Sequence, residues 1–177
     1  MPAAQPDVRW PVNDITTMQG VFDLATFDDL CAKLRVDYER VRADPRDAYA
    51  AFDFVVTAWH LIEWKFPGDK AQRDRVADGA PILRVCEHLA VGAKHFSPGN
   101  PKLQAVKDSG RDAAWGKGVW APGVWAPGVW KDELFVILDG VTRKQLGDRL
   151  TILQIADRAL AFWDANGCQR TSRTAAT

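Results

Sequence analysis

Residues 47–64 read DAYAAFDFVVTAWHLIEW, and as a helix they would carry apolar side chains on nearly every side. A helix that is hydrophobic all round must be buried. Other elements therefore have to wrap this one, which commits the chain to helix-on-helix layering around a central helix. Asp47 opens the segment, and Pro67-Gly68 ends it.

The neighbouring segments supply the wrapping. Thr26 is an N-cap followed by Asp28 and Asp29, where the helix dipole favours acid, and Phe27, Leu30, Leu34, Tyr38 and Val41 repeat at helical spacing. Asp44-Pro45 stops that helix. The charged run KAQRDRVAD predicts a short surface helix. Pro81 then stands at a first-turn position before ILRVCEHLAVGAKHF, whose apolar stripe is Ile82, Val85/Cys86, Leu89, Ala93 and Phe96. Residues 97–101, SPGNP, break the chain. ELFVILDG is the best strand candidate, with Asp139-Gly140 as its turn. Thr151-x-x-Gln154 resembles a capping box and opens a last helix with Ile152, Ile155, Ala159, Phe162 and Trp163 on one face, closed by Asn166-Gly167.

The expected fold is mainly α. It is a four-helix-bundle-like domain over residues 26–166, with a short β/aromatic insertion at about 115–140 between the third and fourth main helices. Residues 1–25, with Pro2, Pro6 and Pro11, predict a flexible or extended lead-in, and 167–177 a polar tail.

Composition narrows the function classes. In 177 residues, 23 Lys+Arg balance 23 Asp+Glu, which disfavours coating of nucleic acid by bulk charge. No apolar stretch approaches about 18 residues, and no charged-then-apolar leader opens the chain, so neither a membrane span nor a signal peptide is expected. The three cysteines, Cys31, Cys86 and Cys168, are far apart and form no C-x-x-C pair, which predicts neither a disulfide framework nor a zinc knuckle. Cys86 falls on an apolar stripe and reads as a buried, inert thiol. A cytoplasmic bacterial protein is the expectation.

Half of the eight tryptophans, Trp115, Trp120, Trp125 and Trp130, recur every five residues as GVWAP is repeated. Five matches neither a helix nor a strand. Ala-Pro-Gly-Val suits a type II turn, so each repeat bends the chain and re-aims the next indole. Burial on the bundle is favoured, since aromatic burial strongly stabilises a loop that has little else. The alternative is a ligand or partner surface. Lys117 and Lys131 are too few for a nucleic-acid groove.

Chemistry-bearing residues concentrate on the second and third main helices, which hold all three histidines, His60, His88 and His95. Asp53, Thr57, His60 and Trp64 share a face, with Glu63 beside His60; Arg84, His88 and His95 share another, next to Glu87 and Lys94. Should these stripes meet, three chemistries fit. His60, Glu63, His88 and His95 would ligate a metal, although no H-E-x-x-H or paired E-x-x-H is present. His88 and His95 would serve as acid and base with Arg84 and Lys94 stabilising charge on a phosphate. Polar bridging between helices is the bland option. No G-x-S-x-G, phosphate loop or dinucleotide fingerprint occurs.

The combination of residues 47–69, VCEHLAVGAKHF and ALAFWDAN resembles a family of short bacterial proteins of unknown function. Its marks are an aromatic-rich helix ending H-x-x-[DE]-W, an N-G-[AS]-K-H-F stretch with Val91 here in place of Asn, a Gly/aromatic repeat, and a closing Phe-Trp helix. The resemblance implies helical architecture and brings no activity. Arg84-x3-His88 also faintly resembles the R-x(4–6)-H motif of HEPN domains, which include metal-independent RNases, but is one residue short. The expected function is a non-enzymatic accessory or partner-binding bundle with no cofactor, paired with a protein partner or a second copy. The alternatives are a HEPN-like RNase or related phosphate-handling enzyme, the only one that would engage nucleic acid, and a metal-binding bundle.

Overall fold

The computed structural model describes residues 22, 24–95, 103–111 and 133–168. The Trp repeat, most of the N-terminal lead-in and the tail from 169 lie outside them. Six helices and a three-stranded antiparallel sheet make up the described fold.

Helix α1 (Phe27–Ala43) starts at Thr26 with a full capping box. The Thr26 hydroxyl accepts from the Asp29 amide, and the Asp29 carboxylate accepts from the Thr26 amide. Helix α2 (Ala48–Lys65) is capped by Asp47, which accepts from the amides of Tyr49 and Ala50. It packs against α1, α4 and α6, the central position that its all-round apolarity requires. Helix α3 (Lys70–Gly79) buries only Ala77 among its residues and lies on α4 (Pro81–His95). The stripe of α4 is as expected at Ile82, Val85 and Cys86, with Leu83 and Ala90 buried as well, but it runs out early: Ala93 is exposed and Phe96 lies beyond the described residues.

Strand β1 (Val106–Arg111) pairs with β2 (Leu134–Leu138), which pairs with β3 (Arg149–Thr151), so β2 is the middle strand. Val136 and Leu138 point into the core, in step with the strand period. The expectation at Asp139-Gly140 is corrected. The pair is not a hairpin turn: Asp139 caps a further helix, α5 (Gly140–Leu146), accepting from the Gly140 amide. Strand β2 therefore pairs onward with β3 only after a helical detour. Strand β1 has the polar sequence VKDSGR and carries no alternation that would announce it.

Helix α6 (Ile152–Ala165) has its capping box at Thr151 and Gln154. Its Trp163 is fully buried, and the indole N–H donates to the Ala58 carbonyl of α2 at 2.9 Å. Gly167, at φ +112°, turns the chain so that Cys168 comes back under α1. There the expectation of unpaired cysteines is overturned: Cys31 and Cys168 are joined by a disulfide, with Cα atoms 5.3 Å apart and 137 residues between them in sequence. Spacing along the chain held no hint of it, because the pairing is made by the packing of α6 on α1. Cys86 is the buried free thiol, and burial pushes its pKa up to about 12, the inert state expected of it.

Candidate functional site

One face of the first half of α2 borders a groove. Ala48, Ala51, Phe52 and Val55 follow helical spacing and form one wall of it; His88, Leu89, Gly92 and Ala93 of α4 form the other. Strand β1 from Val106 to Gly110, β2 from Leu134 to Val136, and Ile152 and Ile155 of α6 complete it. The volume is about 590 Å³, within the usual range for small-ligand sites. Small residues make the space: a Cβ added at Gly92 would meet nothing within 4 Å. Gly110 serves another purpose, since the Phe135 ring lies 3.0 Å from where its Cβ would be. The Arg149 guanidinium also lies over the Phe135 ring, 3.8 Å from its centroid. At the α2 N-terminus, Tyr49 and Phe52 are exposed, 82% and 49%.

His88 is the one histidine in this lining. Its Nδ1 accepts from the Val106 amide at 3.1 Å, which ties α4 to the first residue of β1. An accepting Nδ1 fixes the tautomer: the proton is on Nε2, leaving one donor. Burial lowers the His88 pKa, against the opposing influence of Glu87, so the ring is neutral near pH 7.

The other residues singled out in the sequence do not join it. His60 is half exposed and its Nδ1 lies 2.8 Å from Glu63 on the same helix. His95 and Lys94 are exposed in the last turn of α4, and His95 is two helical turns, about 10 Å, from His88. Arg84 is held by Asp78 at 2.5 Å and Glu87 at 2.5 Å. Burial works against its charge, but those two carboxylates outweigh it and raise its pKa. Among the described residues no group of three or more His, Cys, Asp or Glu could hold a metal ion. His60, Glu63, His88 and His95 are thus not gathered into one centre, and Trp115, Trp120, Trp125 and Trp130 lie outside the described residues.

The polar stripe of α2 faces α1 rather than α4. Asp37 of α1 is 2% exposed and accepts from the Thr57 hydroxyl at 2.7 Å and from Lys33 at 2.5 Å, while Lys33 also donates to Thr57 at 2.9 Å. Arg40 pairs with Asp53 at 2.6 Å. This cluster ties helices together and every acceptor in it has a donor. The shared face of Asp53 and Thr57 was legible in the sequence, but not the α1 partners that this face meets.

No family model, curated protein or solved structure matches the chain. Among the described residues no helix is long and apolar enough to cross a membrane.

Proposed function

We propose that this chain is a non-enzymatic accessory protein that takes an apolar segment of a partner protein into the groove between α2, α4 and the sheet. The groove carries the proposal: largely apolar walls narrowed little by their alanines and Gly92, and one neutral histidine whose Nε2–H meets no acceptor among the described residues, suited to an apolar group that ends in a hydrogen-bond acceptor. Exposed Phe52 in the groove wall and exposed Tyr49 one turn before it favour a protein segment over a small molecule, because aromatic residues are enriched where proteins dock. The likeness to short bacterial proteins built on the same α2 and α4 motifs is part of this reading. A cytoplasmic location is not, because Cys31 and Cys168 are joined.

The enzyme alternative has less support. An RNase site would need Arg84, His88 and His95 at one phosphate, but Arg84 is neutralised by Asp78 and Glu87 and the two histidines are separated along α4.

Filling the groove tests the proposal. Gly92→Phe adds a ring where a Cβ meets nothing, so the variant should fold. An environment-sensitive apolar dye should brighten on the wild type and stay dark on Gly92→Phe, with equal melting temperatures. Dye binding that survives in both Gly92→Phe and Ala51→Trp would sink the groove as a binding site. Cleavage of single-stranded RNA by the wild type, lost in His95→Ala, would replace this reading with the enzyme one.

A further inference from the structure

We propose that Cys31 and Cys168 form an oxidatively installed staple that closes the whole helical domain, and that the chain attains its working form where a disulfide donor can act on it. The bond joins the second turn of α1 to Cys168, two residues past the α6 cap Asn166, so the ring it closes spans 137 residues of sequence and contains every described element after the start of α1. Loop-closure entropy grows with ring size, so a link of this span restricts the unfolded chain more than any short-range bridge would.

The two sulfurs are brought together by groups that do not depend on the bond. Arg35, one turn after Cys31, donates to the Asp164 carboxylate at 2.5 Å and to the Cys168 carbonyl at 2.5 Å. Lys65 of α2 donates to the Asn166 carbonyl. The Cys168 amide returns to the Trp163 carbonyl at 2.9 Å, and Asn166 Nδ2 donates to Phe162 O at 2.7 Å. Three helices therefore position residues 166–168 beside Cys31. The sulfurs are then enclosed: Cys31 is 4% exposed and Cys168 1%. Such enclosure suits a permanent structural link, since exchange needs access to sulfur. A redox sensor needs an exposed thiolate beside positive charge. Cys86 is fully buried on α4 and takes no part.

Installation is thiol–disulfide exchange. One cysteine thiolate attacks an external disulfide, forming a mixed disulfide and expelling one thiolate. The second cysteine attacks the mixed disulfide and expels the other. The donor accepts two electrons and, with the protons given up by Cys31 and Cys168, leaves as two thiols.

The full chain, treated with excess oxidised glutathione during folding and then denatured, should show one titratable thiol out of three cysteines, and a peptide map should join Cys31 to Cys168. Its melting temperature should exceed that of the reduced wild type by about 5–15 °C. Cys31→Ser and Cys168→Ser should each melt with the reduced protein and ignore added reductant, whereas Cys86→Ser keeps the full reductant response. If the serine variants do not fold, the comparison of oxidised with reduced wild type carries the test alone. Three free thiols after that treatment, a bridge that includes Cys86, or a melting temperature indifferent to reductant would each overturn the proposal.

Discussion

Both halves of α2 feed the core, with Ala50, Ala51, Phe54 and Val55 buried in the first and Ala58, Leu61 and Ile62 in the second, yet only the first also lines a groove. In its C-terminal half, Trp163 lies over Ala58 and bonds its carbonyl, and Lys65 holds the chain after α6. Its N-terminal half presents Ala48, Ala51, Phe52 and Val55 to an open groove. The first half is the more apolar of the two, with Asp53 its one polar residue, yet it is the half beside the groove. What differs is the neighbour: a large aromatic and a covalent link at one end, alanines, glycines and the edge of a small sheet at the other. Both halves contribute buried core, and the exposed aromatics Tyr49 and Phe52 belong to the first.

The largest expected effect belongs to the C-terminal half. Trp163→Ala removes the largest fully buried side chain together with its hydrogen bond to the Ala58 carbonyl. It should cost about 3–5 kcal/mol by urea denaturation. A cost below that of a substitution in the groove wall such as Leu89→Ala would erase the contrast between the halves.

Asp37 comes next. Its carboxylate is the shared acceptor for Lys33 and Thr57 between α1 and α2. Asp37→Ala leaves the buried Thr57 hydroxyl without its acceptor, while Lys33, partly exposed, can turn toward water. A loss of about 2–3 kcal/mol is expected in the same measurement. The double variant Asp37→Ala, Thr57→Val should cost less than the sum of the two single variants, since one interaction is being counted twice.

The helices were more legible in sequence than the groove. Thr26 and Thr151 announced their helices through capping chemistry that is local, and the periodicity of 30, 34, 38 and 41 placed the core-facing side of α1. Local signals of this kind survive folding because they are satisfied within one turn. The groove depends instead on which elements are neighbours. Strand β1 is polar and takes its place only by pairing with β2, with a register shift between Val106 and Asp108. The polar faces of α2 and α4 were visible, but whether they faced each other was a tertiary matter, and α2 turned Asp53 and Thr57 toward α1 instead. The disulfide was hidden for the same reason. His88 was identified as a residue of interest, yet its partner is a backbone amide, which has no letter in a sequence.

That partner gives the open half a pH dependence. The His88 pKa is lowered in the folded chain, chiefly by burial, so the unfolded chain binds the proton more readily. Stability carried by neutral His88 is complete above the unfolded value, about 6.5, and is lost as pH falls below it toward the lower folded value. Protonating Nδ1 would also remove the acceptor for Val106 N–H. The melting temperature should therefore fall as pH is taken from 7.5 to 5.5. His88→Asn offers an acceptor that does not titrate and should flatten that slope. An unchanged slope in His88→Asn would assign the acid sensitivity elsewhere.

The smallest effect runs in the opposite direction and tests the groove most directly. Gly92 lies inside α4 with ordinary helical geometry, and a Cβ there meets nothing within 4 Å. A helix-interior glycine costs roughly 0.5–1 kcal/mol relative to alanine. Gly92→Ala should accordingly stabilise the chain by about that amount, through reduced unfolded-state entropy alone, because the new methyl packs against nothing. The same methyl intrudes on the groove only slightly, so dye binding should weaken in the order wild type, Gly92→Ala, Gly92→Phe while stability does not decline. Stability and binding moving apart at one position is what a site kept open at the expense of helix propensity predicts. If Gly92→Ala proved destabilising, α4 would have to be packed more closely there than the open wall allows, and the contrast between the two halves of α2 would fail at its open end.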